Sequence, residues 1–391
     1  MTTPRSESLH WVVAPDSFKG SASASEVAHA IAQGIRNALP RATVTELPFA
    51  DGGEGTLDAL LQTGSMTEHT VATSDALGRP ITARLGIASD SSLAIIECAE
   101  ANGLPGVSDA PLRPLDATSY GVGALVRAAL DAGCSELILC LGGSATTDGG
   151  AGMLSALGAK FLDRDGAELA PGGGALSSLD RIDLNGLDPR VFSTRWRFAC
   201  DVTNPLVGER GAAAVFGPQK GANPEQVETL DRGLSVFSRL LEAHSTRDQA
   251  LDREPGLGAA GGLALGPFAL FNASLEPGSE LVAETLGLQE RVENADVVIT
   301  GEGRFDEQSL HGKVVDAIRR YTPAETPVIV FAGSITLDDA ALRRHGITAA
   351  FATARGPAQL ADLQETVLHD LQALGGDVAR LLNAGAAFRS P

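Results

Sequence analysis

The chain has 391 residues, 43% of them hydrophobic and 20% charged, and a formal net charge of −19. That length exceeds one ordinary core and predicts two domains. The acidic surplus argues against a broad nucleic-acid interface, because a phosphate backbone needs an extended basic face, but leaves room for small anions held by a local cluster of cations and backbone amides.

In chain order, "LHWVVAP" reads as a short buried strand ended by proline. "SASASEVAHAIAQGIRNALP" follows as an amphipathic helix: Ser23 and Glu26 fit a capping box, Val27, Ile31, Ile35 and Leu39 recur every four residues, and Pro40 stops it. "ATVTELPFAD" alternates like a second strand and "GTLDALLQ" begins a second helix, the rhythm of a parallel α/β sheet. From Glu68 the pattern changes to several short strands joined by turns, which marks the start of a different domain. Within it lie the helix "SYGVGALVRAALDAG", the strand "ELILCL" with the glycine-rich segment "GGSATTDGGAG", and a helical region near residues 224–243. The last third returns to the first rhythm, with strands at "ADVVITGEG", "TPVIVFAGS" and "ITAAFATARG". Leu360, Leu363, Val367, Leu371, Leu374, Val378 and Leu381 then form one apolar helix face, with Gly375 and Gly376 as candidate breaks. Joining the two chain ends into one domain with the middle inserted is the simplest assembly, and a cleft between two such lobes is where ligands usually bind. No leader of basic and apolar residues and no run of about 18 apolar residues occurs, so the protein reads as cytoplasmic.

Common catalytic patterns are missing. There is no Walker-type phosphate loop, since "GRFDEQSLHGKV" has the wrong spacing, and "GLGAAG" follows a polar segment ending in proline rather than a strand. None of the seven histidines stands in a zinc-enzyme context, there is no nucleophile elbow, and the four cysteines are too scattered for a metal or redox pair. What remains is a set of glycine-and-acid turns at the ends of apolar strands: "APDSFKGS", "FADGGEGT", "LGGSATTDGGAG", "ACDVTNP" and "ITGEGRFDE". The carboxyl ends of parallel strands meet at one sheet edge, where ligands bind. Glycine-opened amides there receive phosphate oxygens. Asp16, Asp51, Glu54, Asp148, Asp201, Glu302 and Asp306 can hold Mg²⁺ or accept a proton, and Lys19, Lys220, Arg304 and Lys313 can neutralise phosphate or carboxylate. Three of the four lysines, Lys19, Lys220 and Lys313, adjoin a glycine, where a compact ammonium can reach an anion. This is the equipment of phosphoryl transfer, in which positioning and charge compensation do most of the catalysis.

With these motifs in their order, the sequence resembles the glycerate kinase type 1 family nearly end to end, through "APDSFKGS", "ADGGEGT", "LGGSATTDGGAGML", "ACDVTNPLVGERGAAAVFGPQKGA", "AAGGL" and "VITGEGRFDEQSLHGK". The resemblance implies a two-domain α/β protein: a flavodoxin-like domain from residues 1–67 and 285–391, and an inserted mixed α/β domain of restriction-endonuclease-like fold over 68–284. It also implies phosphorylation of D-glycerate by ATP with Mg²⁺, giving 2-phosphoglycerate. On that basis Gly142, Gly143, Ser144, Thr146 and Lys220 are expected to hold the ATP phosphates, aided by the following helix. Ser17, Lys19, Arg304 and Lys313 are expected to hold the substrate, and Asp201, Glu302 and Asp306 the metal. Asp201 is the first candidate for the base that accepts the hydroxyl proton, Asp51 the second, and Lys19 the cation beside the chemistry. A kinase of another small hydroxy acid such as tartronate or hydroxypyruvate, a 3-phosphoglycerate-forming enzyme, and a non-enzymatic small-acid sensor are the alternatives. Expected partners are small molecules, without nucleic acid or membrane, on a monomer or homodimer.

Overall fold

Trp11, Val12 and Val13 are fully buried in the first strand, which is paired on both sides in a parallel sheet. The computed structural model describes residues 9–245, 247 and 250–387. The chain divides into two compact units. One comprises Met1–Asp51, Asp58–Ser65 and Ser279–Pro391, the other Gly52–Leu57 and Met66–Gly278.

The first unit holds five strands: β1 (His10–Val13), β2 (Thr43–Glu46), β11 (Val297–Phe305), β12 (Val328–Ile335) and β13 (Ala349–Ala352). They run in the order β13-β12-β11-β1-β2, with every pairing parallel. Counted by appearance in this unit, that is the 2-1-3-4-5 order of a flavodoxin-like sheet, whose strand order reverses between β1 and β11. The expected capping box is present on the helix Ala24–Ala38, where Ser23 and Glu26 satisfy each other's backbone amides. Against this helix lies Leu360–Ala387, which runs without interruption through Gly375 and Gly376. The glycines let two backbones approach. A Cβ on Gly34 would stand 1.9 Å from the Gln372 carbonyl oxygen, and one on Gly375 would stand 2.7 Å from that of Ile31. The two positions expected to break the helix are therefore its packing surface.

The second unit is built on a six-stranded mixed sheet. Its strands are β3 (Met66–Ser74), β4 (Pro80–Ala88), β5 (Leu93–Glu97), β6 (Glu136–Cys140), β9 (Arg195–Ala199) and β10 (Ser274–Glu276), in the order β10-β9-β6-β5-β4-β3. β3, β4 and β5 pair antiparallel, while β5, β6, β9 and β10 are parallel. Two short strands, β7 (Lys160–Leu162) and β8 (Arg181–Asp183), form a separate antiparallel pair. The strands expected from Glu68 are present as β3, β4 and β5, the first two longer than expected and paired as a nine-by-nine hairpin. Its turn is fixed by Asp75, whose carboxylate accepts from the Leu77 and Arg79 amides at 2.8 and 2.9 Å. Among the described residues no helix is long and apolar enough to cross a membrane.

Candidate active site

In the first unit, the loops leaving the carboxyl ends of the parallel strands enclose a cavity of about 640 Å³. Asp16, Ser17, Phe18 and Lys19 come from the loop after β1, Asp51 from the segment after β2, and Glu302, Arg304 and Asp306 from the end of β11. The cavity therefore sits at the reversal of strand order, the position where open α/β sheets bind ligands. Lys313 completes the polar wall from the residue before the helix Val314–Tyr321. Leu363, Gln364 and Val367 of the long C-terminal helix also line the cavity, a contribution that its apolar periodicity does not announce.

Charge is concentrated here. Burial, reinforced by the neighbouring charge of Asp51, pushes the Asp16 carboxyl up to about 6 despite its 2.6 Å bond from the Ser17 amide. Burial likewise pushes Glu302 up to about 7, with the charges of Asp16 and Asp306 adding to it and Lys313 opposing it. One Glu302 oxygen, Oε1, is buried without a hydrogen-bond partner. Asp306 is already employed: one oxygen accepts from the Gln308 amide at 3.0 Å and the other pairs with Arg304 Nε at 3.0 Å. Among the described residues neither Lys19 nor Lys313 forms an ion pair, so both ammonium groups are available to an incoming anion.

In the second unit, β6 and β9 lie side by side with Cys140 opposite Ala199, so the segments that follow them leave from the same edge. After β6 comes the glycine loop. Gly143 has φ +72, a left-handed conformation, and a Cβ on Gly142 would stand 2.9 Å from the Gly53 Cα. Among the described residues the amides of Gly142, Gly143 and Ser144 donate to no acceptor of the chain. Successive amides without an internal acceptor are the kind of backbone group that receives anions. Further along, Thr146 and Asp148 are fully buried. The Asp148 carboxylate accepts from the Ser119 amide and hydroxyl, both at 2.8 Å, and from the Gly150 and Gly152 amides at 3.1 and 3.2 Å. The amides at the start of the short helix Ala151–Ala156 are thus directed at the chain's own carboxylate. After β9, Asp201 is exposed, with Oδ1 accepting from the Gly278 amide at 2.9 Å.

Lys220 is buried, 3% exposed, and burial pushes its ammonium down to about 8 against the pull of Asp148. It donates to the Thr146 carbonyl at 2.6 Å and to Ser144 Oγ at 3.2 Å. Asn102, which no motif singles out, lies under the same loop and donates from Nδ2 to Thr146 Oγ1 at 3.0 Å. The expected residues thus fall into two groups: Ser17, Lys19, Asp51, Arg304, Lys313, Glu302 and Asp306 on the first unit, and Gly142, Gly143, Ser144, Thr146, Lys220 and Asp201 on the second.

Among the described residues no three His, Cys, Asp or Glu groups stand together closely enough to hold a metal ion. Mg²⁺ does not require such a cage, because one or two carboxylates plus phosphate oxygens and water usually complete its shell. Glu302 offers an oxygen without a partner, whereas each oxygen of Asp306 already has one.

The model of the glycerate kinase family matches residues 11–383. The chain is 44% identical over 374 residues to a glycerate kinase of Bacillus subtilis (strain 168), covering 94% of this chain and 96% of the relative. It is 45% identical over 344 residues to the glycerate 2-kinase of Escherichia coli (strain K12), covering 87% and 89%. A crystal structure assigned to glycerate kinase 2 of Salmonella typhimurium LT2 superposes with a TM-score of 0.85 at 43% identity, covering 97% of this chain and 99% of that one. Matched along nearly its whole length in both sequence and fold, the chain belongs to the glycerate kinase family and is a kinase.

Proposed function

We propose that the enzyme transfers the γ-phosphoryl group of ATP to the C2 hydroxyl of D-glycerate, giving 2-phospho-D-glycerate and ADP. The observation that carries this reading is the cavity of the first unit, where Lys19, Arg304 and Lys313 face the same space as Asp16, Asp51 and Glu302. A small hydroxy acid needs that combination: cations for its carboxylate and carboxylates near its hydroxyls. Lys19 and Lys313 take the substrate carboxylate, with Ser17 and Arg304 beside them. The open amides of Gly142, Gly143 and Ser144 take phosphate oxygens, and Thr146 supports that loop from its buried position. Asp201 is the proposed base for the hydroxyl proton and Asp51 the second candidate. Mg²⁺ bound with ATP supplies compensation for phosphate charge, and Glu302, with Asp201 and Asp306 as further candidates, would hold it.

The test is ADP release by the purified protein with Mg²⁺ and ATP across a panel of D-glycerate, L-glycerate, tartronate and hydroxypyruvate. The reading expects kcat/KM for D-glycerate to exceed the others by tenfold or more. A preference for another acid reassigns the substrate, and ligand binding without ADP release with any acid overturns catalysis.

A further inference from the structure

We propose that Lys220 is a positioning residue: it holds the glycine loop in its anion-receiving shape from beneath, and does not itself touch phosphate. The inference rests on the reading of that loop as the triphosphate cradle.

The loop has a fixed half and an open half. In the fixed half every residue from Ser144 to Thr146 is tied to the body of the unit. Ser144 Oγ accepts from Lys220 at 3.2 Å, the Ala145 amide donates to the Asn102 carbonyl at 2.7 Å, Thr146 Oγ1 accepts from Asn102 Nδ2 at 3.0 Å, and the Thr146 carbonyl accepts from Lys220 at 2.6 Å. In the open half the amides of Gly142, Gly143 and Ser144 have no acceptor among the described residues. Among the described residues Lys220 is the only cation bonded to the fixed half, and its ammonium bridges two loop residues that are two positions apart in sequence.

Burying an ammonium is expensive unless its protons are used, and hydrogen bonds from a charged donor are the strong ones. Lys220 meets that condition with a carbonyl and a hydroxyl of the loop, while the buried Asp148 carboxylate lies near enough to favour its charge. The chain places it with a 3-10 turn, Pro218–Lys220, closed by Gly221 at φ +89. At 3% exposure the ammonium spends two of its three protons on the loop from within the body of the unit. A lysine flanked by glycine, which in sequence suggests a ligand to phosphate, here acts on the ligand's receptor.

The experiment compares wild type, Lys220→Met, Ser144→Ala and the double variant in two readouts. The first is hydrogen exchange of the 141–150 segment in nucleotide-free protein; the second is steady-state kinetics with ATP and D-glycerate varied separately. Lys220→Met is expected to speed exchange in that segment about tenfold or more while the rest of the unit keeps its protection. It should lower kcat/KM for ATP about tenfold or more and leave KM for D-glycerate within about twofold. Ser144→Ala should move both readouts the same way by less, and the double variant should be little worse than Lys220→Met, because the two share one interaction. Unchanged loop exchange in Lys220→Met together with lost ATP affinity would make Lys220 a phosphate ligand and overturn the proposal. Protection lost evenly across the unit would reduce it to a fold residue and overturn it as well. Where Lys220→Met does not fold, Ser144→Ala decides: loop exchange at the wild-type rate refutes the proposal. A wild type that releases no ADP with D-glycerate sinks the functional reading alone, because the exchange measurement needs no substrate.

Discussion

Replacing Glu302 by glutamine should stabilise the enzyme at pH 8 and leave its stability nearly unchanged at pH 4.5. Glu302 lies on the pocket wall with a buried, unpartnered oxygen, and burial raises its carboxyl from the ordinary 4.5 to about 7. As pH rises through that window, the unfolded chain gives up this proton before the folded one does, so the folded state binds more protons and loses stability with rising pH. At about 1.4 kcal/mol per pH unit, a rise from 4.5 to about 7 corresponds to roughly 3 kcal/mol at full ionisation. Partial solvation of the side chain reduces this to about 1–2 kcal/mol. Glutamine keeps the shape of the protonated acid and never ionises. The difference between variant and wild type should therefore be near zero at pH 4.5, grow through pH 6 and 7, and level off above it, reaching a Tm rise of roughly 2–8 °C. The assay is thermal unfolding in buffers from pH 4.5 to 8.5, without nucleotide or divalent cation. A Glu302→Gln enzyme less stable than wild type at pH 8, or equally shifted at every pH, would refute the argument that this carboxylate is held in the site against its electrostatic preference.

Lys19→Met and Lys313→Met should each raise KM for D-glycerate about tenfold or more with KM for ATP within about twofold, measured by ADP release; an effect confined to ATP would move these cations to the other substrate. Asp201→Asn should preserve folding and lower kcat by roughly two or more orders of magnitude, and near-normal turnover would remove Asp201 from the chemistry. Gly34→Ala, whose Cβ would stand 1.9 Å from the Gln372 carbonyl oxygen, should destabilise the first unit by about 2–4 kcal/mol in urea unfolding. At low temperature its KM values should match wild type, and an unaffected unfolding midpoint would contradict the close helix contact.

What could be read in the sequence was whatever local pattern determines. Val27, Ile31 and Ile35 mark the first helix, and Ser23 with Glu26 marks its start; both are as expected because capping and amphipathic spacing act within a few residues. The strands before the glycine turns were equally legible, since a short apolar run bounded by glycine and proline has few alternatives. Partnership across the chain was not. Gly375 and Gly376 carry the same letters whether they break a helix or admit a neighbour, and only the facing backbone of Ala24–Ala38 decides. Gln364 and Leu363 enter the pocket because a distant helix passes over the sheet edge, which their own spacing does not encode. Lys220 illustrates the limit most clearly: its glycine neighbour was visible, but its burial under Ser144 and Thr146 depends on tertiary packing alone.

The central claim is phosphoryl transfer from ATP to one particular hydroxyl of D-glycerate. Incubating the purified enzyme with ATP, Mg²⁺ and D-glycerate and reading the product by phosphorus and carbon NMR tests it most directly. The account predicts a phosphorus resonance split into a doublet by the single C2 proton, accumulating in step with ADP. A phosphorus resonance split into a triplet by the two C3 protons, or ADP accumulating with inorganic phosphate and no phosphoglycerate, would contradict it.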